Sequence, residues 1–292
     1  MTQLRQAQRA KAKIRLGLSA VAGGGKTYSA ILIAKGLAKG DLSKVAIIDT
    51  ENGSADLYAH LGPYNVLTLL PPYSPERYVQ AIQDCENAGM EVVIIDSITH
   101  EWSGKGGILE IADGMTGNSF QKWKDLTPRH NKFIAAILTS KSHIITTVRR
   151  KQDYEMTKGS DGKAKVEKLG LKEETREGFE FELTVNLELD IKHNAVASKD
   201  RTGLFMDAPH FTPSEDTGKK ILDWCESGIE PEKPTVFTPT EVMRKEAKDL
   251  LDNSTLDDNG RAVAQSSLDT ADNLIGWTKV INRLRQLQVV PA

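Results

Sequence analysis

Residues 20–27 read AVAGGGKT, and the segments on either side make this glycine run a constraint on the whole chain. Upstream, IRLGLS at residues 14–19 is a short apolar run expected to be a strand. Downstream, Ala30, Ile31, Ala34, Leu37 and Ala38 fall on one helical face that ends at Gly40. Strand, glycine-rich loop and helix, in that order, form the context of a Walker A motif. The glycines let successive N–H groups turn inward around phosphate oxygens, and the helix N-terminus adds partial positive charge. Ala22, Gly23, Gly24 and Gly25 are therefore expected to cradle phosphates, with Tyr28 following in the first turn of the helix. Lys26 would reach the β- and γ-phosphates, and the Thr27 hydroxyl would bind Mg²⁺. Ala20 stands where the pattern has its first glycine, a mild departure at the point where the loop leaves the strand.

A second acid near the metal completes such a site. Residues 91–97, EVVIIDS, are an unbroken β-branched run ending in Asp96, the pattern of a parallel strand covered on both faces. Asp96 would sit at the carboxyl end of its strand and hold Mg²⁺ through water.

Further strands are expected at residues 44–49, 66–70 and 143–150. Ser74 and Pro75 read as the start of a helix running to Ala88, and Thr127 and Pro128 as the start of another running to Ser140. Strands alternating with helices imply an α/β fold with a mostly parallel sheet and right-handed crossovers. Residues 97–124 and 151–178 read as long polar or glycine-rich loops. Between Phe179 and Ile191 every odd position is apolar, which predicts one long strand with one buried face. Residues 194–205 follow as its antiparallel partner, and residues 214–226 as a helix with Gly228 as its cap. The organisation expected is a basic N-terminal arm over 1–13, a core over 14–228, a proline-marked linker over 229–239 and a small helical region over 240–292.

Composition narrows the setting. No apolar run approaches the length a membrane helix needs, and no signal-peptide pattern is visible, so no membrane partner is expected. Two cysteines, Cys85 and Cys225, lie far apart without metal-like spacing, which predicts small buried residues in a reducing cytoplasm. The net charge of −2 hides an uneven distribution. Arg5, Arg9, Lys11, Lys13 and Arg15 occur with no acid among them, and residues 149–172 hold eight Lys/Arg against four Asp/Glu. Such segments suit contact with a polyanion at defined places.

The order of the Walker A loop, IIDTENGSADLYAHLG, VVIIDS, HIITTVRR and ASKDRTG resembles the ATPase core of RecA-like proteins over about residues 10–228. More closely, it resembles phage-encoded RecA-like AAA ATPases, some of which act as single-strand annealing recombinases. That resemblance implies a P-loop NTPase core that uses ATP and Mg²⁺. It gives Glu51 the place of the catalytic glutamate, where a carboxylate can orient and deprotonate the attacking water. Tyr58 falls where the family sets a ring against adenine. Thr147 matches the polar residue that senses the γ-phosphate, although RecA itself has glutamine there. Lys199 and Arg201 are similar to the paired cations sent into a neighbouring subunit's site, where they stabilise charge on the transferred group.

The same resemblance turns the loops after Asp96 and after Thr147 toward single-stranded DNA. Lys105, Lys122 and Lys124, interleaved with Trp102, Phe120 and Trp123, would contact it from the first loop, and Arg149, Arg150, Lys151, Lys163, Lys165 and Lys168 from the second. Implied partners are a ring or filament of identical subunits and a single-strand DNA-binding protein. Two other functions use the same core: a replicative helicase or helicase-loader motor, and an ATP-gated DNA scaffold with little hydrolysis.

Overall fold

The computed structural model describes residues 6–158, 164–229, 239–252, 256, 258–270 and 274–288. Two compact units, Met1–Glu230 and Pro231–Ala292, divide the chain.

An eight-stranded sheet in the order β3-β2-β4-β5-β1-β7-β8 forms the first unit, with β6 paired to β5 off this path. The strands are β1 (Arg15–Ala20), β2 (Val45–Asp49), β3 (Asn65–Thr68), β4 (Val92–Asp96), β5 (His143–Lys158), β6 (Ala164–Glu173), β7 (Val185–Leu189) and β8 (Ala195–Asp200). Neighbours from β3 across to β7 are parallel, and β7–β8 and β5–β6 are antiparallel. The α/β fold with a mostly parallel sheet and an antiparallel edge is thus the one expected.

Both faces of the sheet are covered. Leu16, Leu18, Val45, Ile47, Ile94 and Leu187 face α1 (Lys26–Leu37) and α7 (Glu215–Glu226). Ala46, Ile48, Val93, Ile95 and Val148 face α2 (Pro75–Asn87) and α5 (Ser119–Thr139). Burial on both sides is why β2 and β4 read as continuous apolar runs. Helices α1 and α7 meet through glycine: a Cβ on Gly36 would lie 2.1 Å from the Glu215 carbonyl, and one on Gly218 2.1 Å from that of Ile33. This contact fixes the helix that begins with Lys26 beside α7 on one face of the sheet.

Several expectations are corrected. Residues 97–124 are largely helical, forming α3 (Thr99–Ser103), α4 (Ile108–Gly114) and the first turns of α5. Helix α5 begins at Ser119 rather than Thr127, because the Asn118 side chain accepts from the Gln121 N–H at 2.9 Å, and Pro128 lies inside it. Trp102 and Trp123 stack at 5.9 Å and pack, half-buried, against Ile108, Ala112 and Leu126.

The polar segment after Arg150 is a β-ribbon rather than a loop, with pairing from Arg150–Glu173 to Lys158–Ala164. Backbone hydrogen bonds build such a ribbon without an apolar pattern, so hydropathy does not report it.

The alternation over 179–191 also misleads. Residues Phe179–Glu182 form a single helical turn, α6, and the strand begins only at Val185. Phe179 and Leu183 are four apart, a spacing that fits a helix as well as a strand, and both pack on the α5 face while Leu187 and Leu189 pack on the other. Phe181 and Ile191 are exposed.

The described part of the N-terminal arm lies along the protein rather than free. Ala10 bridges Ile229, and Arg9 donates to the Trp224 carbonyl at 2.7 Å with its guanidinium over the indole. Close approach of Ala10 to Gly228, where a Cβ would lie 2.3 Å from the Ala10 carbonyl carbon, accounts for that glycine; Ser227 takes the cap position of α7. Arg15 is buried and donates to the carbonyls of Leu138 in the last turn of α5 and of Ser140 and Ser142 just after it, so it is a structural cation and not a polyanion contact. Arg5 lies outside the described residues. Cys85 and Cys225 are free and buried.

The second unit has three helices among the described residues: α8 (Pro239–Asp252), α9 (Asp258–Thr270) and α10 (Leu274–Gln288). Ala247 and Leu251, Ala264 and Leu268, and Trp277, Ile281 and Leu284 form its core at helical spacing. No helix among the described residues is long and apolar enough to cross a membrane.

Candidate active site

Register sets the floor of the site. Asp49 pairs with Asp96, Ile95 with Thr146, Leu18 with Thr147 and Ala20 with Arg149, so the carboxyl ends of β2, β4, β5 and β1 line up side by side. Outside that edge is where ligands settle in open α/β sheets. Strand β5 lies between β1 and β4, which puts Thr147 between the glycine loop and Asp96.

The loop turns at Gly23 and Gly25, with φ of 77° and 81°, and α1 starts at Lys26. A side chain at Gly25 would be strained by that φ, and its Cβ would lie 2.8 Å from Nδ1 of His193. The Lys26 ammonium donates to the carbonyls of Ala20 and Val21, each at 3.2 Å, and so closes back over its own loop. Burial pushes its pKa down, while Asp96 and Glu51 oppose the shift. A half-buried cation whose hydrogen bonds go to carbonyls suits an incoming anion.

Asp96 is buried and accepts two hydroxyl hydrogen bonds, from Thr27 at 2.6 Å and from Thr147. Burial drives its carboxyl upward even though both hydroxyls favour the ionised form. The donor chemistry fits Mg²⁺: a carboxylate and a hydroxyl are hard oxygens, and a divalent cation would relieve the buried charge. Among the described residues no group of three or more His, Cys, Asp and Glu could hold a metal by itself. Phosphate oxygens and water would complete the shell, as is usual for this ion.

Glu51 is positioned by Asp49, whose carboxylate accepts from the N–H groups of Glu51 at 2.7 Å and Ala55 at 3.3 Å. Asp49 thereby anchors the turn, and Glu51 extends from it. The Glu51 carboxylate accepts from the Ser97 hydroxyl at 3.0 Å and from both Nε and Nη2 of Arg149, the former at 3.1 Å. Neither partner was expected. Ser97 directly follows Asp96 in sequence, a signal that could have found it, whereas Arg149 is brought in by β5. Beside them, His100 Nδ1 lies 2.8 Å from the Thr50 hydroxyl and its ring stacks on Tyr73. Burial pushes the His100 pKa down.

A cleft of about 490 Å³ opens along the loop, lined by Gly23, Gly25, Lys26, Thr27, Tyr28, Leu32, Tyr58, His193, Thr212 and Pro213. Tyr28 and Tyr58 meet edge to face at 6.0 Å. An aromatic, largely apolar wall beside a phosphate cradle suits a base. Tyr28 and Tyr58 belong to the expected set, whereas His193, Thr212 and Pro213 come from connections after β7 and before α7 and carry no sequence signal.

Lys199 and Arg201 stand apart from this cleft. Both donate to the carbonyl of Phe181, and β8 runs antiparallel to β7 so that Lys199 pairs with Asn186. Asn186 is level with Gly17, toward the opposite end of β1 from the glycine loop.

Of the cations expected to contact DNA, Lys105 and Lys124 are exposed and Lys122 half-exposed, with Phe120 exposed on α5. Arg149 pairs with Glu51, Arg150 with Glu188 at 2.5 Å and Lys151 with Glu174 at 3.1 Å, so these charges are neutralised within the protein. The backbones of Lys165 and Lys168 lie in β6 with their side chains outside the described residues, as is the whole of Lys163.

Comparison with curated proteins finds no match. The stretch that carries all of this geometry, residues 12–222, matches the family described as AAA domain, and the chain belongs to that family of P-loop ATPases.

Proposed function

We propose that the protein hydrolyses ATP with Mg²⁺ at a site shared between two subunits, in the service of single-stranded DNA recombination or annealing. The hydrolytic part is carried by one observation: Thr27 and Thr147 hold the two oxygens of Asp96 beside Lys26. Lys26 binds the phosphates, Thr27 and Asp96 hold the metal, and Glu51 orients water on the γ-phosphate. Mg²⁺ supplies charge neutralisation at the phosphates when bound. The base would lie against the wall that Tyr28 and Tyr58 form along the cleft.

Calorimetry and phosphate release test the reading. Wild type is expected to bind ATP with Mg²⁺, and Lys26→Ala to lose binding. Glu51→Gln should bind ATP but turn it over at least about 100-fold more slowly, the range for a lost general base. Absence of heat in the wild type overturns the proposal.

The DNA part is supported by exposed Lys105, Lys124 and Phe120. Phe120 and Lys124 are exposed four residues apart on α5, an aromatic ring beside a cation that suits sequence-tolerant strand binding, and Lys105 adds an exposed charge before α4. Affinity for a single-stranded oligonucleotide should fall steeply as salt rises; insensitivity to salt removes these residues from that role. Unwinding of a forked duplex would favour a motor, and annealing without turnover a scaffold.

A further inference from the structure

We infer that Arg149 reads the terminal phosphate: Glu51 and the γ-phosphate compete for its guanidinium, and triphosphate binding frees Glu51 for the water. The inference rests on the nucleotide reading above and adds to that site a cation from the same chain.

Four observations carry it. Arg149 is in register with Ala20, where the phosphate loop begins, and lies two residues beyond Thr147, which holds Asp96. Its guanidinium forks onto Glu51 through Nε and Nη2, and Ser97 binds the same carboxylate. Its charge is felt at the Lys26 ammonium together with those of Asp96 and Glu51, so all four groups share one electrostatic site. Its side chain is 42% exposed, while its N–H is fixed to the Thr99 hydroxyl at 3.0 Å. The backbone is therefore held, and the guanidinium has open space on one side.

Chemistry sets the direction. A planar guanidinium binds phosphate and carboxylate with the same fork. A γ-phosphate beside Lys26 carries more charge than a carboxylate, and it is the group that distinguishes ATP from ADP. With two guanidinium N–H groups and the Ser97 hydroxyl on it, the Glu51 carboxylate has three of its about four lone-pair sites filled, and pairing with a cation makes it a weaker base toward water. Exchange of partners links the arrival of a triphosphate to release of the base.

The test is calorimetry of the full chain with Mg²⁺ and either a non-hydrolysable ATP analogue or ADP. Arg149→Ala is expected to weaken the analogue about 10- to 100-fold, with about threefold or less for ADP. Glu51→Gln should tighten the analogue, and more so in the wild-type background than with Arg149→Ala, because only there does it remove the competitor for the guanidinium. An Arg149 that merely braces Glu51 gives the reverse order, since the bare carboxylate would then repel phosphate most in the Arg149→Ala protein. Equal losses for both nucleotides, no loss, or that reverse order overturns the inference while the nucleotide reading stands. Wild type binding neither nucleotide overturns both. Should Arg149→Ala fail to melt cooperatively, Arg149→Lys carries the comparison: a several-fold loss confined to the analogue is expected, and an unselective loss counts against it.

Discussion

The Thr27 hydroxyl lies 2.6 Å from Oδ2 of Asp96, joining the first turn of α1 to the end of β4 across the mouth of the glycine loop. Asp96 has no cation bonded to it among the described residues, and burial raises its pKa from the ordinary carboxylate value. Asp96→Asn should therefore lower Mg²⁺-dependent nucleotide affinity at least about tenfold and metal-independent affinity far less. As pH falls through that raised pKa, the Mg²⁺ dependence of wild-type binding should weaken before exposed carboxylates titrate. Titrations with and without Mg²⁺ as pH is lowered from neutral check both statements.

Lys199 and Arg201 converge on the Phe181 carbonyl, away from the cleft of their own chain. If they complete a neighbour's site, protomers carrying Lys26→Ala should restore turnover to protomers carrying Lys199→Ala and Arg201→Ala when the two are mixed. Each alone should be nearly inactive, and specific activity of wild type should rise with concentration. A mixture no more active than its parts removes the pair from that role.

Gly218 admits α1 to within backbone contact of α7. Gly218→Ala sets a Cβ against the Ile33 carbonyl, an atom that cannot swing aside, and should destabilise the first unit by about 3 kcal/mol. Urea unfolding measures the loss. An unchanged midpoint would mean that the helices separate without penalty.

Arg15 binds the carbonyls of Leu138, Ser140 and Ser142, and burial lowers its pKa only to about 10, so it remains charged at neutral pH. Arg15→Met leaves those acceptors unpaired in the interior. A loss of about 3 kcal/mol is expected in thermal or urea unfolding, against a far smaller effect for a change at exposed Lys13.

His143 is buried, accepts from the Ile14 N–H at 3.2 Å, and has its pKa lowered from 6.5 to about 3, chiefly by burial and further by Lys13 and Arg15. The unfolded chain therefore takes up a proton near pH 6.5 that the folded state refuses. Its contribution is intact above pH 6.5 and falls by about 1.4 kcal/mol per pH unit as pH drops toward 3. His143→Asn, which keeps an acceptor and cannot titrate, should show a shallower acid limb in urea unfolding than wild type. Parallel limbs would assign the acid loss to other groups.

How much of this was open to reading from the chain depends on how local each feature is. The glycine loop, its strand and its helix are contiguous, so spacing alone revealed Lys26, Thr27 and the alternating α/β pattern. Asp96 was legible because burial on both faces leaves an unbroken apolar run before it. Spacing failed where two periods coincide, as with Phe179 and Leu183, and where backbone pairing needs no apolar pattern, as in the ribbon of β5 and β6.

Charge partners were the least legible. Arg149, Arg150 and Lys151 read as a basic run, yet each meets an acid from another segment: Glu51 after β2, Glu188 in β7 and Glu174 after β6. Arg15 likewise read as part of a basic arm suited to a polyanion and is a buried clamp. The sequence by itself determined a phosphate loop on a parallel sheet, because those signals are carried by neighbouring residues. Which carboxylate each cation meets, and therefore whether it is free for a ligand, was decided only by the tertiary structure, because strand order brings together residues that no local period connects.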